Sequence, residues 1–110
     1  MTNPAKYRCR ITFQRKENVQ DEEGNWVPGW VDTDITVWAA IKDLRGKEII
    51  EAGANSVKIT TRIYIRYREG LSEDMRIKYG ARIFDITFLN NLEQRNIEYE
   101  ILANEVKPNG

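Results

Sequence analysis

The 110-residue sequence contains no histidine and a single cysteine, Cys9. Histidine is the commonest general base and the commonest neutral metal ligand, so its absence argues against hydrolases and metalloenzymes that depend on an imidazole. One cysteine cannot form an internal disulfide, which fits an intracellular protein held together by packing alone. We therefore expect no metal site and no cofactor, and we interpret Cys9 as a small core residue rather than a reactive thiol.

Long apolar runs and glycine-rich loops are missing as well. No segment approaches the roughly 20 apolar residues of a membrane span, and no apolar stretch of the kind found in a secretory signal follows Lys6. The seven glycines are scattered, so no phosphate-binding loop pattern is present. Basic and acidic residues each number 17, which gives a net charge of zero and no global attraction for polyanions. We expect a protein made in the cytoplasm, without membrane contact, whose partner preferences are local.

Carboxylates cluster at residues 21–23, at positions 32 and 34, and at residues 73–74. Paired acids can perform acid-base chemistry or hold a hard cation. Each cluster lies among turn-forming residues rather than among apolar residues that would perturb a pKa, so solvated turns explain them better. We predict no catalytic residues, and we do not expect an enzyme.

Alternation of apolar and polar residues predicts strands with one buried face. In the longest segment, residues 57–68, one face carries Val57, Ile59, Thr61, Ile63, Ile65 and Tyr67. Further strands are predicted at residues 7–14, 35–41, 75–79, 82–89 and 97–106, the last with Ile97 on its inner face. Both faces of residues 35–41 are largely apolar, which predicts a strand covered on both sides.

These segments predict an all-β fold, a small antiparallel barrel or sandwich of about six strands. We expect one domain over residues 1–110, with frayed termini at 1–6 and 107–110. Residues 44–56 leave the strand pattern, and KEIIEA at 47–52 favours a helical turn too short to be stable alone. We predict a partly helical or mobile excursion between the second and third strands, whose isoleucines pack on another subunit.

Residues 15–34 are rich in turn formers, which predicts a long connection or irregular hairpin. Trp26 and Trp30 lie inside it. Their rings need burial, either by folding of the loop over the sheet edge or against a partner protein. Both are therefore candidate interface residues.

The polar face of the longest strand carries Arg62, Tyr64, Arg66 and Arg68. Small barrels that grip single-stranded nucleic acids display rings between cations in this way. A solvated face with cross-strand charge pairs is the simpler interpretation, and the zero net charge supports it. The residues alone leave both interpretations open.

Four motifs follow one another in an informative order: R-x-R-I-x-F at 8–13, G-N-x-V-P-G-W at 24–30, VWAAIKDLRGKE at 37–48, and IYIRYREGLSEDMRIKYGARIFDI at 63–86. This order resembles the head-tail joining, or head-closure, protein family of long-tailed bacteriophages and prophages. The resemblance covers nearly the whole chain. It implies a structural virion protein, a small β-barrel subunit assembled in the host bacterial cytoplasm.

In that family the subunit forms a ring of its own copies below the portal and adaptor proteins, closes the DNA-filled head and docks tail or tail-terminator proteins. Non-specific contact with packaged DNA follows from this location. The excursion matches the loop that projects towards the channel or the neighbouring ring, so the partner-facing candidates are Leu44, Gly46, Lys47, Glu48, Ile49, Ile50, Glu51 and Asn55. The interface candidates are Trp26, Trp30, Arg62, Tyr64, Arg66 and Arg68. The alternative function is a small barrel that binds single-stranded nucleic acid through Arg62, Tyr64 and Arg66.

Overall fold

The structure, a computed structural model, describes residues 6–43 and 61–106. Its strands are β1 (Cys9–Gln20), β2 (Trp26–Asp43), β3 (Thr61–Arg66), β4 (Arg76–Tyr79), β5 (Arg82–Asn91) and β6 (Glu98–Val106). A short 3₁₀ turn, Leu92–Gln94, lies between β5 and β6. Within the described ranges, no helix has the length and apolar character needed to cross a membrane.

The sheet closes on itself in the order β1-β2-β3-β6-β5-β4, and every neighbouring pair is antiparallel. Closure depends on β1, which pairs with β2 along most of its length and with β4 over residues 12–14. A closed sheet leaves no free edge where it closes, so its strands satisfy their backbone groups without outside partners. The predicted all-β class is confirmed, in the form of a closed barrel.

The interior is filled by apolar side chains from every strand, as the alternation predicts. In β3, Ile63 and Ile65 are fully buried, whereas Arg62 and Tyr64 lie half-buried on the outer face. The core cluster consists of Ile11, Phe13, Ile35, Ala39, Ile63, Ile65, Ile77, Phe84, Ile101 and Ala103. Because burying one large apolar side chain contributes about 1.5–3 kcal/mol, this cluster is the main stabilising element of the body.

Of the two predictions for residues 15–34, the long connection is wrong and the irregular hairpin is confirmed. β1 and β2 continue through this region as a hairpin, and residues 21–25 alone separate the two strands. Turn formers are accommodated here because each strand has a single neighbour: Asn18 faces Pro28 and Glu17 faces Gly29. The missing amide of Pro28 therefore interrupts no wider sheet.

Three expected side-chain positions also need correction. Trp38 remains 53% exposed, so the described residues do not cover the outer face of the segment 35–41. Ile97 is 51% exposed and lies just before β6. Its carbonyl accepts a hydrogen bond from the Tyr67 amide, beyond the end of β3. Cys9 is half-buried and outside the core cluster, because it begins β1 at the end of the barrel, beside Tyr79.

Several sequence predictions fall outside the described residues. These are the excursion at 44–56, the strand start at 57–60, and the termini at 1–5 and 107–110. The excursion includes all eight partner-facing candidates, Leu44, Gly46, Lys47, Glu48, Ile49, Ile50, Glu51 and Asn55.

Candidate functional site

The hairpin of residues 15–32, called the arm below, extends away from the closed body. Among the described strands, residues 15–20 of β1 pair only with residues 26–31 of β2. The contacts of β1 with β4 end at Gln14, and those of β2 with β3 begin at Ala39. The arm is therefore a two-stranded ribbon with two free edges, and the molecule measures 50 Å along its longest axis.

One face of the arm carries a row of apolar rings. Directly paired residues share a face and alternate residues point the same way, so Trp26, Pro28 and Trp30 lie on one face and Val19 and Val27 on the other. Trp26 is 69% exposed at the outer end of β2. An exposed tryptophan on a strand suits contact with a partner protein.

The tip of the arm is an ordered turn. Asp21 holds it, because its Oδ1 accepts hydrogen bonds from the amides of Glu23 (2.9 Å) and Asn25 (2.8 Å). Gly24 adopts a φ of +87°, a conformation that other residues rarely reach. The turn therefore presents the exposed carboxylates of Glu22 and Glu23 in a fixed place beside the exposed tryptophan.

The base of the arm is anchored to β4. The Arg76 guanidinium lies 4.4 Å from the centroid of the half-buried Trp30 ring. Asp32 accepts hydrogen bonds from Lys78 Nζ (2.8 Å) and Gln14 Nε2 (2.7 Å). The bond from Lys78, followed by that from Gln14, holds the pKa of Asp32 below its usual range. These contacts fix how the arm leaves the body.

A groove of about 570 Å³ opens on the outer face of the body, where β1, β2 and the chain just after β3 meet. Its lining combines cations and rings: Tyr7, Arg10, Thr36, Val37, Trp38, Arg66, Tyr67 and Arg68. The Arg10 guanidinium lies 5.1 Å from the Trp38 ring centroid, and that of Arg66 lies 5.6 Å from the Tyr7 ring centroid. Stacking holds these guanidinium planes in place and leaves their N–H edges able to donate to a ligand.

One described carboxylate lies at the edge of the groove, because Glu98 Oε2 accepts a hydrogen bond from the Tyr7 hydroxyl (2.6 Å) and pairs with Lys6. Within residues 6–43 and 61–106, no acidic side chain forms an ion pair with Arg10, Arg66 or Arg68. Arg68 Nε donates instead to the main-chain carbonyl of Glu69 (3.1 Å). A cleft that combines uncompensated guanidinium groups with apolar rings suits a carboxylate or phosphate carried beside an apolar group.

The outer face of β3 is different, because Arg62 and Tyr64 are both directed to one carboxylate of the same chain, that of Glu100. The Tyr64 hydroxyl donates to Glu100 Oε2 (2.8 Å), and Arg62 Nε lies 3.9 Å from the same oxygen. Burial, together with the hydrogen bond to Glu100 and the charge of that carboxylate, raises the pKa of Tyr64 to about 12. These are the cross-strand pairs that the simpler sequence interpretation anticipated.

The acidic clusters form ordinary turn and cross-strand contacts. Glu73 Oε2 accepts the Leu89 amide (3.0 Å), and Asp74 accepts the hydroxyl of Ser72. Asp32 is engaged by Lys78, as described above. In the ranges that the structure covers, no three acidic or cysteine side chains converge as a metal site would require.

The six predicted interface residues lie in three separate places. Trp26 and Trp30 lie on the arm, Arg66 and Arg68 line the groove, and the remaining two, Arg62 and Tyr64, contact Glu100. Sequence reasoning missed Arg10 and Trp38 as partners in one groove. The one sequence signal was that Arg10 lies on the polar face of its strand, whereas its pairing with Trp38 is set by the register of the hairpin.

Comparisons with known proteins point in one direction. Residues 2–106 match the family model described as phage head completion protein. Head completion protein gp7 of Enterobacteria phage HK97 is 27% identical over 75 residues, which cover 68% of this chain and 66% of that protein. The matched part thus spans just under two thirds of the relative's length.

Two solved structures are similar to this chain. The solution structure of protein SF1141 from Shigella flexneri 2a matches with a TM-score of 0.73 and 30% sequence identity, covering 98% of this chain and 100% of that one. A chain from the virion of a native gene transfer agent particle matches with a TM-score of 0.61 and 20% identity, over 90% of this chain and 94% of its own length. At that lower identity, the second likeness shows the fold alone.

Proposed function

Because the chain belongs to the phage head completion protein family and is a structural component of the virion, we propose that it joins the head to the tail. In this proposal it is one subunit of a ring that closes the DNA-filled head. Its neighbours are further copies of itself, portal or adaptor proteins on the head side, and tail or tail-terminator proteins on the other.

The observation that carries the proposal is the presence of two separate unsatisfied surfaces on one small body. The arm leaves Trp26 69% exposed, and the groove leaves three arginines without ion pairs to described carboxylates. A ring subunit contacts at least two neighbours through different surfaces, whereas a self-contained monomer gains nothing from keeping such groups unpaired. The interface candidates Trp26, Trp30, Arg66 and Arg68 belong to these two surfaces.

Residues 44–56 are proposed as a third contact, directed to the channel or to the neighbouring ring. Glu48 and Glu51 offer charges there for pairing with arginines of another subunit. Deleting residues 46–53 should leave a folded body that no longer retains DNA in the head or no longer docks. Circular dichroism and urea unfolding would check the folding. An unfolded deletion variant would show instead that this segment belongs to the core.

The test of the proposed function is assembly on DNA-filled, tailless heads. We expect purified protein to bind at the head vertex as a ring visible by electron microscopy, and to make the heads competent for tail addition. Trp26→Ala should lower the occupancy of the vertex, while Phe88→Ala, which alters another exposed ring on β5, serves as the matched control. Wild-type protein that does not bind such heads would contradict the proposal.

The alternative function, single-stranded nucleic-acid binding through Arg62, Tyr64 and Arg66, has less support. Arg62 and Tyr64 contact Glu100, so two of its three groups are directed to a carboxylate of the same chain. Titration with labelled oligonucleotides at low salt separates the two functions. Micromolar binding that weakens steeply with salt would favour the alternative.

A further inference from the structure

Two sets of opposite charges, the arginines of the groove and the carboxylates of the arm tip, lie far apart and form no ion pair with described residues. The chain is neutral overall, and several of its described cations are paired within the body, as in Arg82 with Glu105 and Lys78 with Asp32. Among the cations of the described residues, those of the groove have no such pair. Among the carboxylates, Glu22 and Glu23 at the tip of the arm form no ion pair with any described residue.

The tip and the groove also match in their apolar parts. Beside its two carboxylates the tip carries Trp26, 69% exposed, and between its arginines the groove carries Trp38, 53% exposed. Carboxylates pair with the fork of donors on a guanidinium, and aromatic rings pack on one another and on stacked arginines. The tip therefore offers the two kinds of group that the groove accepts.

The tip cannot reach the groove of its own chain. Trp26 and Trp38 lie on the same strand, β2, and their positions in the sequence differ by 12. At roughly 3.3 Å per strand residue this places them about 40 Å apart. β1 pairs with residues 26–32 and 36–39 of β2 on either side of one register shift, so the hairpin does not fold back on itself. An arm that occupies a groove must come from another molecule.

We propose that the arm tip of one copy, residues 21–26, docks in the groove of a second copy, with Glu22 and Glu23 meeting Arg66 and Arg68. The contact is head-to-tail, since each copy gives its arm and receives another in its groove. Such contacts close into rings when the rotation between copies permits. The inference rests on the proposed function, because it names the surfaces through which the ring subunits meet.

Charge reversal provides the first test, read as self-association by sedimentation velocity at low salt. E22R/E23R and R66E/R68E should each weaken association by more than about tenfold, since like charges then face each other. An equimolar mixture of the two variants, and the quadruple variant, should recover association.

The control for this test addresses net charge. E22R/E23R and D74R/E93R each raise the net charge from zero to +4, but the second changes residues outside both surfaces. We expect D74R/E93R to associate as the wild type does. Equal weakening by both variants would assign the effect to overall repulsion and overturn the arm–groove contact.

Disulfide trapping provides the second test, and it also detects a weak contact. In a C9S background, E23C/R68C should form a ladder of covalent multimers on oxidation at high concentration, because every copy then carries both partners. Each single-cysteine variant can form dimers at most. A double variant that yields dimers at most, and no ladder, would overturn the proposal.

Two further results separate this inference from its rivals. Salt-sensitive oligonucleotide binding that R66E/R68E abolishes would assign the groove to nucleic acid and overturn the contact between copies. If both charge-reversal variants form rings on heads as the wild type does, the proposed function stands and only the arm–groove contact is overturned. A disulfide ladder from E23C/R68C, combined with wild-type protein that does not bind heads, would support the arm–groove contact and contradict the proposed function.

Discussion

The body and the arm share strands β1 and β2, yet different interactions hold them together. In the body each strand has two neighbours and one fully buried face, which carries residues such as Ile11 and Phe84. In the arm the same two strands pair only with each other, and the tip leaves Trp26 in solvent. An isolated ribbon of this kind is marginally stable in water, so the arm depends on its cross-strand pairs and on its anchor to β4. Along this one pair of strands, the body therefore supplies stability and the arm supplies contact surface.

The largest expected effect lies in the body. Phe84→Ala removes a fully buried ring and should lower the free energy of unfolding by about 3–5 kcal/mol, through lost burial and the cavity left behind. Phe88→Ala on the same strand is the control, because Phe88 is 47% exposed, and it should cost less than about 1 kcal/mol. Urea unfolding measures both. Equal costs would mean that the closed core is not where the stability lies.

A smaller effect is expected in the arm. A Cβ at Gly29 would lie 2.5 Å from Val19 Cγ2, so Gly29→Ala forces Val19 to move and should weaken the arm by about 1–2 kcal/mol. Hydrogen exchange should show lost amide protection in residues 15–31, with the body strands unchanged. The double variant V19A/G29A should restore protection. Loss of protection throughout the barrel would contradict the separation of arm from body.

The next smaller effect is expected in the ion-pair network at the start of β5. Arg82 contacts Asp43 (3.2 Å) and Glu105 (2.8 Å), and these hydrogen bonds hold its pKa above the usual range. Because the network links three strands, Arg82→Met should cost about 1 kcal/mol at low salt and less at high salt. Arg95→Met is the control, since Arg95 contacts only its near neighbour Glu93 and should have almost no effect. Thermal unfolding at two salt concentrations tests this pair.

The smallest effect is a pH dependence on the outer face of the body. Burial and the contact with Glu100 raise the pKa of Tyr64 to about 12, so the folded state keeps a proton that the unfolded chain releases near pH 10. The stability from this group is complete below about pH 10 and is lost as the pH rises towards 12. Tyr64→Phe should remove this part of the alkaline decline. If the free energy of unfolding of both proteins fell equally across that pH range, the assignment would be contradicted.

The sequence predicted the body better than the arm for a physical reason. Alternation and turn signals predicted strands in the body, and the structure has them at residues 61–66, 76–79 and 82–91. The prediction works there because the two faces of each strand differ in burial. Residues 15–32 are exposed or half-buried on both faces, so their polar and apolar residues do not report strand structure. Turn formers such as Pro28 were therefore interpreted as breaks in the strands, although a two-stranded ribbon accommodates them.

The candidate site was only partly predictable. The order of motifs identified the family, and the match over residues 2–106 confirms it. Trp26 was chosen as an interface residue because its ring lies in a polar segment, and Arg66 because it lies on the polar face of its strand; that role stays a prediction. The groove could not be predicted, because it forms only when β1, β2 and the chain after β3 come together in space. Trp38 illustrates the difficulty: its apolar neighbours suggested burial, yet its outer face is uncovered.

The irregular pairing at the base of the arm has a geometric consequence. The register between β1 and β2 shifts between Thr12 and Gln14, where β2 has two more residues than β1, and extra residues at such a point bend and twist the strand that carries them. This bulge lies between the groove, where Arg10 pairs with Trp38, and the tip of the arm, so it helps set the angle between them. If copies join tip to groove, that angle fixes how sharply each step turns. The curvature of the whole assembly would then depend on one backbone irregularity, which adjoins the groove at the pair of Thr12 and Thr36.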